Sequence, residues 1–448
     1  MQITKTNIRT LVAVILTSLI AICGFAGDTK YATLSNAQST EILNTVENDL
    51  KANYYDPKMH GVDLDQRFDE ARQKIATAKS QDEALLDIAA AVAALKDSHT
   101  RFHPPTRPYG VVYGWVMQAI GESNCYVTGV RPDSDAAAKG LKAGDLVVSL
   151  NGISVVRADI SYLQYSYRVF PQSGFHVTVR PPDGSGDQNL VVMSKVIPGQ
   201  YEVRRGDVQN YRENHRDDRF KNRSRYYNVN KQVLFWKLPD FVMSADDADD
   251  VLNKARSYET VILDLRGNPG GRVIAEAAFL GGFFDHDVKL GVRVGRTESK
   301  EEKVKSRGGK AFAGKLIVLI DSDSKSAAEI FARVIQLEKR GTVLGDRSAG
   351  AVMESKVFVH AEELDRVNVA QYRTSITIAN IIMADGVSLE NLGVTPDQLI
   401  LPTPADIAAG RDPVLARAAE LAGVKMTPEE AGKIFPLEWA EEKMHEID

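Results

Sequence analysis

The stretch Val261-Ile-Leu-Asp-Leu-Arg-Gly-Asn-Pro-Gly-Gly271 constrains this chain more than any other. Val261 to Leu265 form a short, β-branched, nearly all-apolar run, the pattern of a strand buried on both faces. Arg266 to Gly271 then break it. Three glycines and a proline in six residues predict a turn whose bare backbone N–H groups can approach a bound group. A second such unit follows. Lys315-Leu-Ile-Val-Leu-Ile320 reads as another buried strand, and Asp321-Ser-Asp-Ser-Lys-Ser-Ala-Ala-Glu-Ile330 leads from it into an amphipathic helix over 327–337. A serine at such a junction has its hydroxyl at the helix N-terminus, where the dipole favours developing negative charge. Taken alone, these residues also fit an ordinary α/β fold with a glycine turn and a serine N-cap.

The two stretches in this order resemble the tail-specific (C-terminal processing) serine protease family and its relative, the core of the tricorn protease. The motifs that carry the resemblance are a strand ending in L-D-L-R-G-N-P-G-G and a strand ending in S-x-S-A-A-E before a helix. The resemblance covers roughly 36–425. It implies an α/β core of the ClpP/crotonase-like class over 198–425, an inserted β-rich PDZ-like domain over 107–197, and an N-terminal helical segment over 27–106.

Composition sets the outer limits. With 448 residues, 44% hydrophobic and 26% charged, the chain can bury two or three proper cores. Its net charge of −5 argues against a general nucleic-acid binder, which would carry a basic face. Met1 to Ala26 read as a secretory signal: Lys5 and Arg9, then the apolar run 11–22, then small residues in Gly24-Phe-Ala26. Export to a bacterial periplasm or the exterior is the expectation. A lipid-anchored start at Cys23 ranks second, and an uncleaved anchor, giving membrane proximity, third. Only Cys23 and Cys125 are present, so a chain cleaved after Ala26 keeps one cysteine and forms no internal disulfide. Cys125 reads as a packed strand residue.

Before the core, helical spacing is visible over 38–51, 64–76 and 81–95. The last ends in Asp97-Ser-His-Thr100. The segment 111–196 is β-rich, and Gly140-Leu-Lys-Ala-Gly-Asp-Leu-Val-Val-Ser-Leu-Asn-Gly152 resembles a PDZ domain: a glycine turn, a strand and an Asn-Gly hairpin turn. Such domains add an extended peptide to a sheet edge and take its carboxylate in a backbone nest. The peptide-binding candidates are Gly114, Trp115 and Val116, the alternative being a plain strand. Residues 204–225 and 299–310 are charged and lack apolar periodicity, so both read as loops. Residues 426–448 read as a charged tail.

The resemblance names the nucleophile as Ser326, three residues before Glu329; Ser322 and Ser324 are out of register. A serine hydroxyl needs a base. The tail-specific branch uses a lysine in a Gly-Lys-Gly-like element, but aligning Gly345-Asp-Arg-Ser-Ala-Gly350 with it puts Ala351 at that place, and Lys356 lies further on. The tricorn-like branch uses a histidine supported by a serine and a glutamate. Ser98-His99 and Glu390 match that pattern. The resemblance therefore implies Ser326 as nucleophile, His99 as general base and acid, and Ser98 and Glu390 as its supports. For the oxyanion it implies the N–H of Ala327 and of Gly270 or Gly271. Asp264 and Arg266 read as a structural pair, and His103 as a loop residue. No metal motif or cofactor site is seen, and the partners implied are protein or peptide substrates. Homo-oligomerisation stays open. A catalytically inactive binding or scaffold protein of the same fold is the alternative.

Overall fold

The structure, a computed structural model, describes residues 33–107, 109–198, 224–242, 245–365 and 368–439. The signal-like segment, with Cys23, lies outside them, as does all but the end of the 204–225 loop. The chain divides into two compact units, one within Met1–Gly206 and Ser355–Ile378, the other within Asp207–Glu354 and Ala379–Asp448.

In the first unit three helices form where their caps and apolar spacing require. Asn36–Asn53 opens on a capping box between Ser35 and Gln38 and buries Ile42, Leu43, Val46 and Leu50 along one side. Leu64–Thr77 is capped by Asp63, and Gln81–Ala93 by Ser80. Their apolar faces close on Phe68, Ile88 and Phe102, each such side chain contributing about 1.5–3 kcal/mol by leaving water. The chain from 355 to 378, expected within the α/β core, divides instead with these helices. It carries most of the strand Met353–Glu363 and the first part of the strand Val369–Met383. The reason is apolar: Ala370, Tyr372 and Ile376 join the helical core.

The β-rich segment is an antiparallel sheet in the order Trp115–Ile120, Asn124–Val130, Leu146–Leu150, Gly174–Arg180, Gln188–Met193, with Ile153–Ser154 beside the third strand. Helices Asp135–Ala138 and Ile160–Val169 accompany it. Asn151 and Gly152 both take left-handed φ, 49° and 78°, the tight hairpin turn that an Asn-Gly pair favours. Cys125 is fully buried in this sheet's core.

The second unit is built on a six-stranded sheet in the order Arg225–Val229, Val233–Lys237, Thr260–Asp264, Lys315–Ile320, Thr342–Gly345, Gln398–Leu399. The first two strands are antiparallel; every later neighbour is parallel. Thr260–Asp264 is buried at all five positions, because apolar layers cover both faces of the sheet. One layer includes Phe279, Phe283 and Phe331, the other Leu415 and Ala418. Two expectations change here. Ser299–Val304 is a strand, paired with Val288–Gly295, because its charges find partners across the ladder: Lys289 reaches Glu301 at 3.2 Å. The tail beyond 426 is not wholly separate, since Met426, Ala431, Ile434 and Phe435 pack into the second layer.

Candidate active site

In open parallel sheets, ligands bind outside the carboxyl ends of the strands. The two motifs of the second unit meet at such an end. Asp264 closes one central strand and Ile320 its neighbour. The turns that follow are tied together. The Gly267 N–H donates to Asp321 Oδ1 at 2.8 Å, the Lys325 N–H to the Asn268 carbonyl at 2.8 Å, and the Ser324 hydroxyl to the Leu265 carbonyl at 2.8 Å. Ser324 is thus a staple between the turns, consistent with its being out of register as a nucleophile.

Ser326 stands at the head of the helix Ala327–Leu337 with φ 55° and ψ −118°. An ordinary N-cap is extended, and this conformation costs a non-glycine residue about 1–3 kcal/mol. Strand-to-helix elbows that present a nucleophile carry strain of this kind. What holds it is Glu329. Its buried carboxylate accepts the Ser326 N–H at 3.0 Å, the Ala351 N–H at 2.9 Å, the Gly350 N–H at 2.7 Å and the Ser348 hydroxyl at 2.6 Å. Burial pushes its carboxyl up to about 7, against the pull of these donors. The Ser326 N–H also reaches the Ala351 carbonyl at 2.9 Å. Ala351 therefore lies beside the Ser326 backbone, where the aligned pattern has a lysine. Lys356 is exposed, its ammonium 5.2 Å from the centre of the Phe358 ring.

The glycine turn lies against Ser326. A side chain at Gly270 (φ 94°) would strike Ser326 Cβ, and one at Gly271 would strike the Phe241 backbone. The Gly270 N–H is given to Asn268 Oδ1 at 2.8 Å. The N–H groups of Gly271 and Ala327 have no acceptor among the described residues. Of the two glycines the sequence left open, only Gly271 thus keeps an uncommitted donor. Glu390 enters from another loop, its Oε2 accepting the Val352 N–H at 2.9 Å. That loop is fastened to 348–350, with the Asn391 N–H on the Gly350 carbonyl at 2.7 Å and the Val394 N–H on Ser348 Oγ at 2.6 Å. Ser326, Ala327, Gly271 and Glu390 are thus parts of one connected assembly. Asp264 and Arg266 pair as expected, at 2.8 Å, with Arg266 also reaching Asp412 at 2.8 Å. Burial works to raise the Asp264 carboxyl, but Arg266 and Lys237 outweigh it and hold it far below the usual range.

Ser98 and His99 belong to the first unit, on the turn after the third helix. Ser98 Oγ and His99 Nδ1 lie 2.8 Å apart. Burial, with a smaller contribution from Arg101, pushes the imidazole down to about 4, against the pull of Asp97, so the ring is neutral at pH 7, with one nitrogen free to accept a proton. The turn is fixed by Asp97, a residue to which sequence reasoning gave no role. Its carboxylate accepts the N–H groups of His99 and Thr100 at 2.8 and 2.9 Å and the hydroxyls of Tyr54 and Thr377 at 2.9 and 2.6 Å. His103 is on a strand, Arg101–His103, not in a loop.

The peptide-binding candidates sit at the start of the first strand of the β-rich sheet. Gly114 has φ 74° and its Cβ space is filled by Ser134. The Trp115 side chain is buried, with its ring against Phe175, and Val116 pairs with Gly129. Trp115 therefore serves the core of the sheet. Among the described residues no group of three or more side chains could hold a metal ion, and no helix is long and apolar enough to cross a membrane.

Residues 232–400 match peptidase family S41, and residues 35–91 match the tricorn protease C1 domain. The tail-specific protease of Haemophilus influenzae is 30% identical over 177 residues, 37% of this chain and 24% of that protein. Carboxyl-terminal-processing peptidase 1, chloroplastic, of Arabidopsis thaliana is 24% identical over 339 residues, 72% of this chain and 64% of that protein. The chain thus spans less than two thirds of either relative. The crystal structure of mature CPAF superposes with a TM-score of 0.61 at 17% identity, over 83% of this chain and 94% of that one. The fold is shared.

Proposed function

We propose, from the match of residues 232–400 to peptidase family S41, that this chain is an exported serine endopeptidase acting on protein or peptide substrates. The observation that carries the reading is the conformation of Ser326: a strained elbow at a helix N-terminus, beside two N–H groups without acceptors among the described residues. In the proposed reaction His99 takes the proton of Ser326 Oγ as the oxygen attacks the scissile carbonyl. The Ala327 and Gly271 N–H groups receive the oxyanion, which matters most where water is excluded. His99 then returns the proton to the leaving amine, and water enters to hydrolyse the acyl-enzyme by the same route. Ser98, at 2.8 Å from Nδ1, and Glu390 orient the ring and stabilise its cationic form. Ala351, lying where a lysine base would be, supports a histidine in that role.

The antiparallel sheet within 107–197 is the part we assign to substrate selection or gating, as a PDZ-like domain; its hairpin turn and accompanying helices support this. Residues 1–26 would direct export and be removed. N-terminal sequencing of the mature protein from an extracellular or periplasmic fraction tests that: a chain still starting at Met1 would overturn cleavage. For the activity itself, mature protein is incubated with a mixed peptide library beside its Ser326→Ala variant, and products are read by mass spectrometry. Products that vanish with Ser326→Ala are expected. Products common to both, or none at all, would favour a binding protein of the same fold.

A further inference from the structure

An edge strand exposes unpaired backbone groups, and folded chains blunt such edges with charge, brevity or a cover. The edge strand Ser299–Val304 follows that rule, with Lys300, Glu301, Glu302 and Lys303 in a row. The strand Met353–Glu363 does not. It is 11 residues long and has one partner strand, Val369–Met383. Among the described residues, no backbone bond from outside its own ladder reaches 355–362. Alternate residues of a strand share a face. One face is taken: Phe358 packs against the helical core, and His360 Nε2 lies 2.7 Å from Asp49 Oδ2. On the other face Val357 and Val359 are 51% and 61% exposed, with Ala361 exposed beside them. Apolar, β-branched residues along an open edge favour the addition of another strand.

The charges near the two ends of this strand complement each other. Lys356 makes no ion pair with any described residue; its ammonium lies 5.2 Å from the centre of the Phe358 ring. Glu362 makes no ion pair with any described residue either. Burial, with Glu41 and Glu363 close by, raises its carboxyl above the ordinary value. The strand thus holds an unpaired cation and an unpaired anion crowded by like charge. Laid antiparallel on a copy of itself about Val359, it sets Lys356 opposite Glu362, Val357 opposite Ala361, Phe358 opposite His360, and Val359 opposite its own copy. This register makes two cross-strand ion pairs on one face and a continuous apolar row on the other. Centring on Phe358 or His360 instead would set Lys356 opposite His360 or Leu364, and both ion pairs would be lost.

We propose that the open edge of Met353–Glu363 is a self-association surface, on which a second copy of this chain adds its own residues 355–363 antiparallel. A second copy is favoured over an unrelated strand because this strand is its own complement in charge. The contact is isologous, the same patch on both copies, and it consumes the open edge, so assembly closes at two. The surface is independent of the peptidase reading.

The test is the mass of the mature chain in solution, by sedimentation velocity over a concentration series. A monomer–dimer equilibrium is expected, with a dissociation constant that rises with salt. Lys356→Glu and Glu362→Lys each set like charges against each other at both pairs, so each should weaken the dimer by about tenfold or more. An equimolar mixture of these two variants restores opposite charges at both pairs. It should therefore associate about as tightly as the native chain, and so should a chain carrying both substitutions. Val359→Lys meets itself at the centre of the register and should weaken the dimer as well. A monomer at every concentration would overturn the proposal. So would a dimer that neither charge variant weakens, or a mixture of the two that stays apart.

Discussion

The turn that carries Ser326 and the turn that carries His99 lie in different units, yet each is held by one buried carboxylate with four donors. Glu329 accepts from Ser326, Ser348, Gly350 and Ala351; Asp97 accepts from Tyr54, His99, Thr100 and Thr377. Neither makes an ion pair with a lysine or arginine among the described residues. What differs is reach. Asp97 takes two of its donors from its own turn, as a short Asp side chain readily does. Glu329 takes one from its own turn and three from a segment about twenty residues later, which in turn carries the Glu390 loop. Asp97 thus shapes a local turn, whereas Glu329 joins three segments of chain around a strained serine. The comparison teaches that a carboxylate can serve a site as a fixed acceptor, without supplying charge to the reaction.

The largest expected effects test the two turns directly. Ser326→Ala and His99→Ala should each lower kcat by about 10⁴-fold or more with the fold intact by circular dichroism, since members of one catalytic unit fail together. Lys356→Ala should leave kcat/KM within about twofold. Loss of activity in Lys356→Ala and retention in His99→Ala would move the base to the lysine and undo the pairing of the turns. Next in size, Glu329→Gln should cost more than Asp97→Asn in both activity and thermal stability. A buried donor left without its acceptor costs about 1–3 kcal/mol, and the amide turns a donor of its own toward the N–H groups that Glu329 gathers. An equal loss in the two variants would mean that reach does not matter.

The pH profile sharpens the contrast. With the Glu329 carboxyl near 7 and the His99 imidazole near 4, Glu329 protonates before His99 on acidification. A protonated carboxyl must turn one oxygen from acceptor to donor, which releases one of its four partners. The acid limb of kcat/KM should therefore lie near pH 7, activity falling below it. A limb near pH 4 would show that the serine turn tolerates protonation of Glu329 and that His99 alone sets the limit.

How much of this was legible in the sequence follows from the same contrast. Val261 to Gly271 and Lys315 to Glu329 announce themselves because a doubly buried strand must be continuously apolar and a sharp turn needs glycine. The roles proposed for Ser98, His99 and Glu390 rest on a family resemblance, because nothing in a lone histidine marks it as a base. The roles of Asp97 and Glu329 were missed, although both left a signal. Asp97 stands two residues before His99, the spacing of an Asx turn, and Glu329 three after Ser326, the spacing of a capping box. The preference for Gly271 over Gly270 as the proposed oxyanion donor needed coordinates, because the Asn268 side chain takes the Gly270 N–H. The strand Ser299–Val304 was hidden because its polar residues face solvent on an exposed ladder and leave no apolar alternation.

Glu276 offers the control for both turns, since it is a buried carboxylate with no donors among the described residues. It lies on the helix Val273–Gly281 that follows the glycine turn, and neither of its oxygens has a hydrogen-bond partner among those residues. Burial alone pushes its carboxyl up to about 8, against about 7 for Glu329 with four donors. The ordering is physical: each N–H aimed at a carboxylate favours the ionised form, and Glu276 has none. A carboxyl whose folded value is raised binds its proton more tightly in the folded chain than in the unfolded one. Its contribution to stability is therefore lost as pH rises from the ordinary value of 4.5 to about 8, and changes little above that. Glu276→Gln removes the titration while keeping the shape. The Tm of the variant relative to the native chain should climb through that window and level off beyond it, with kcat/KM unchanged at pH 7. A difference that stays flat with pH would mean that Glu276 finds a partner in solution, and the gap between donor-rich and donor-free carboxylates would close.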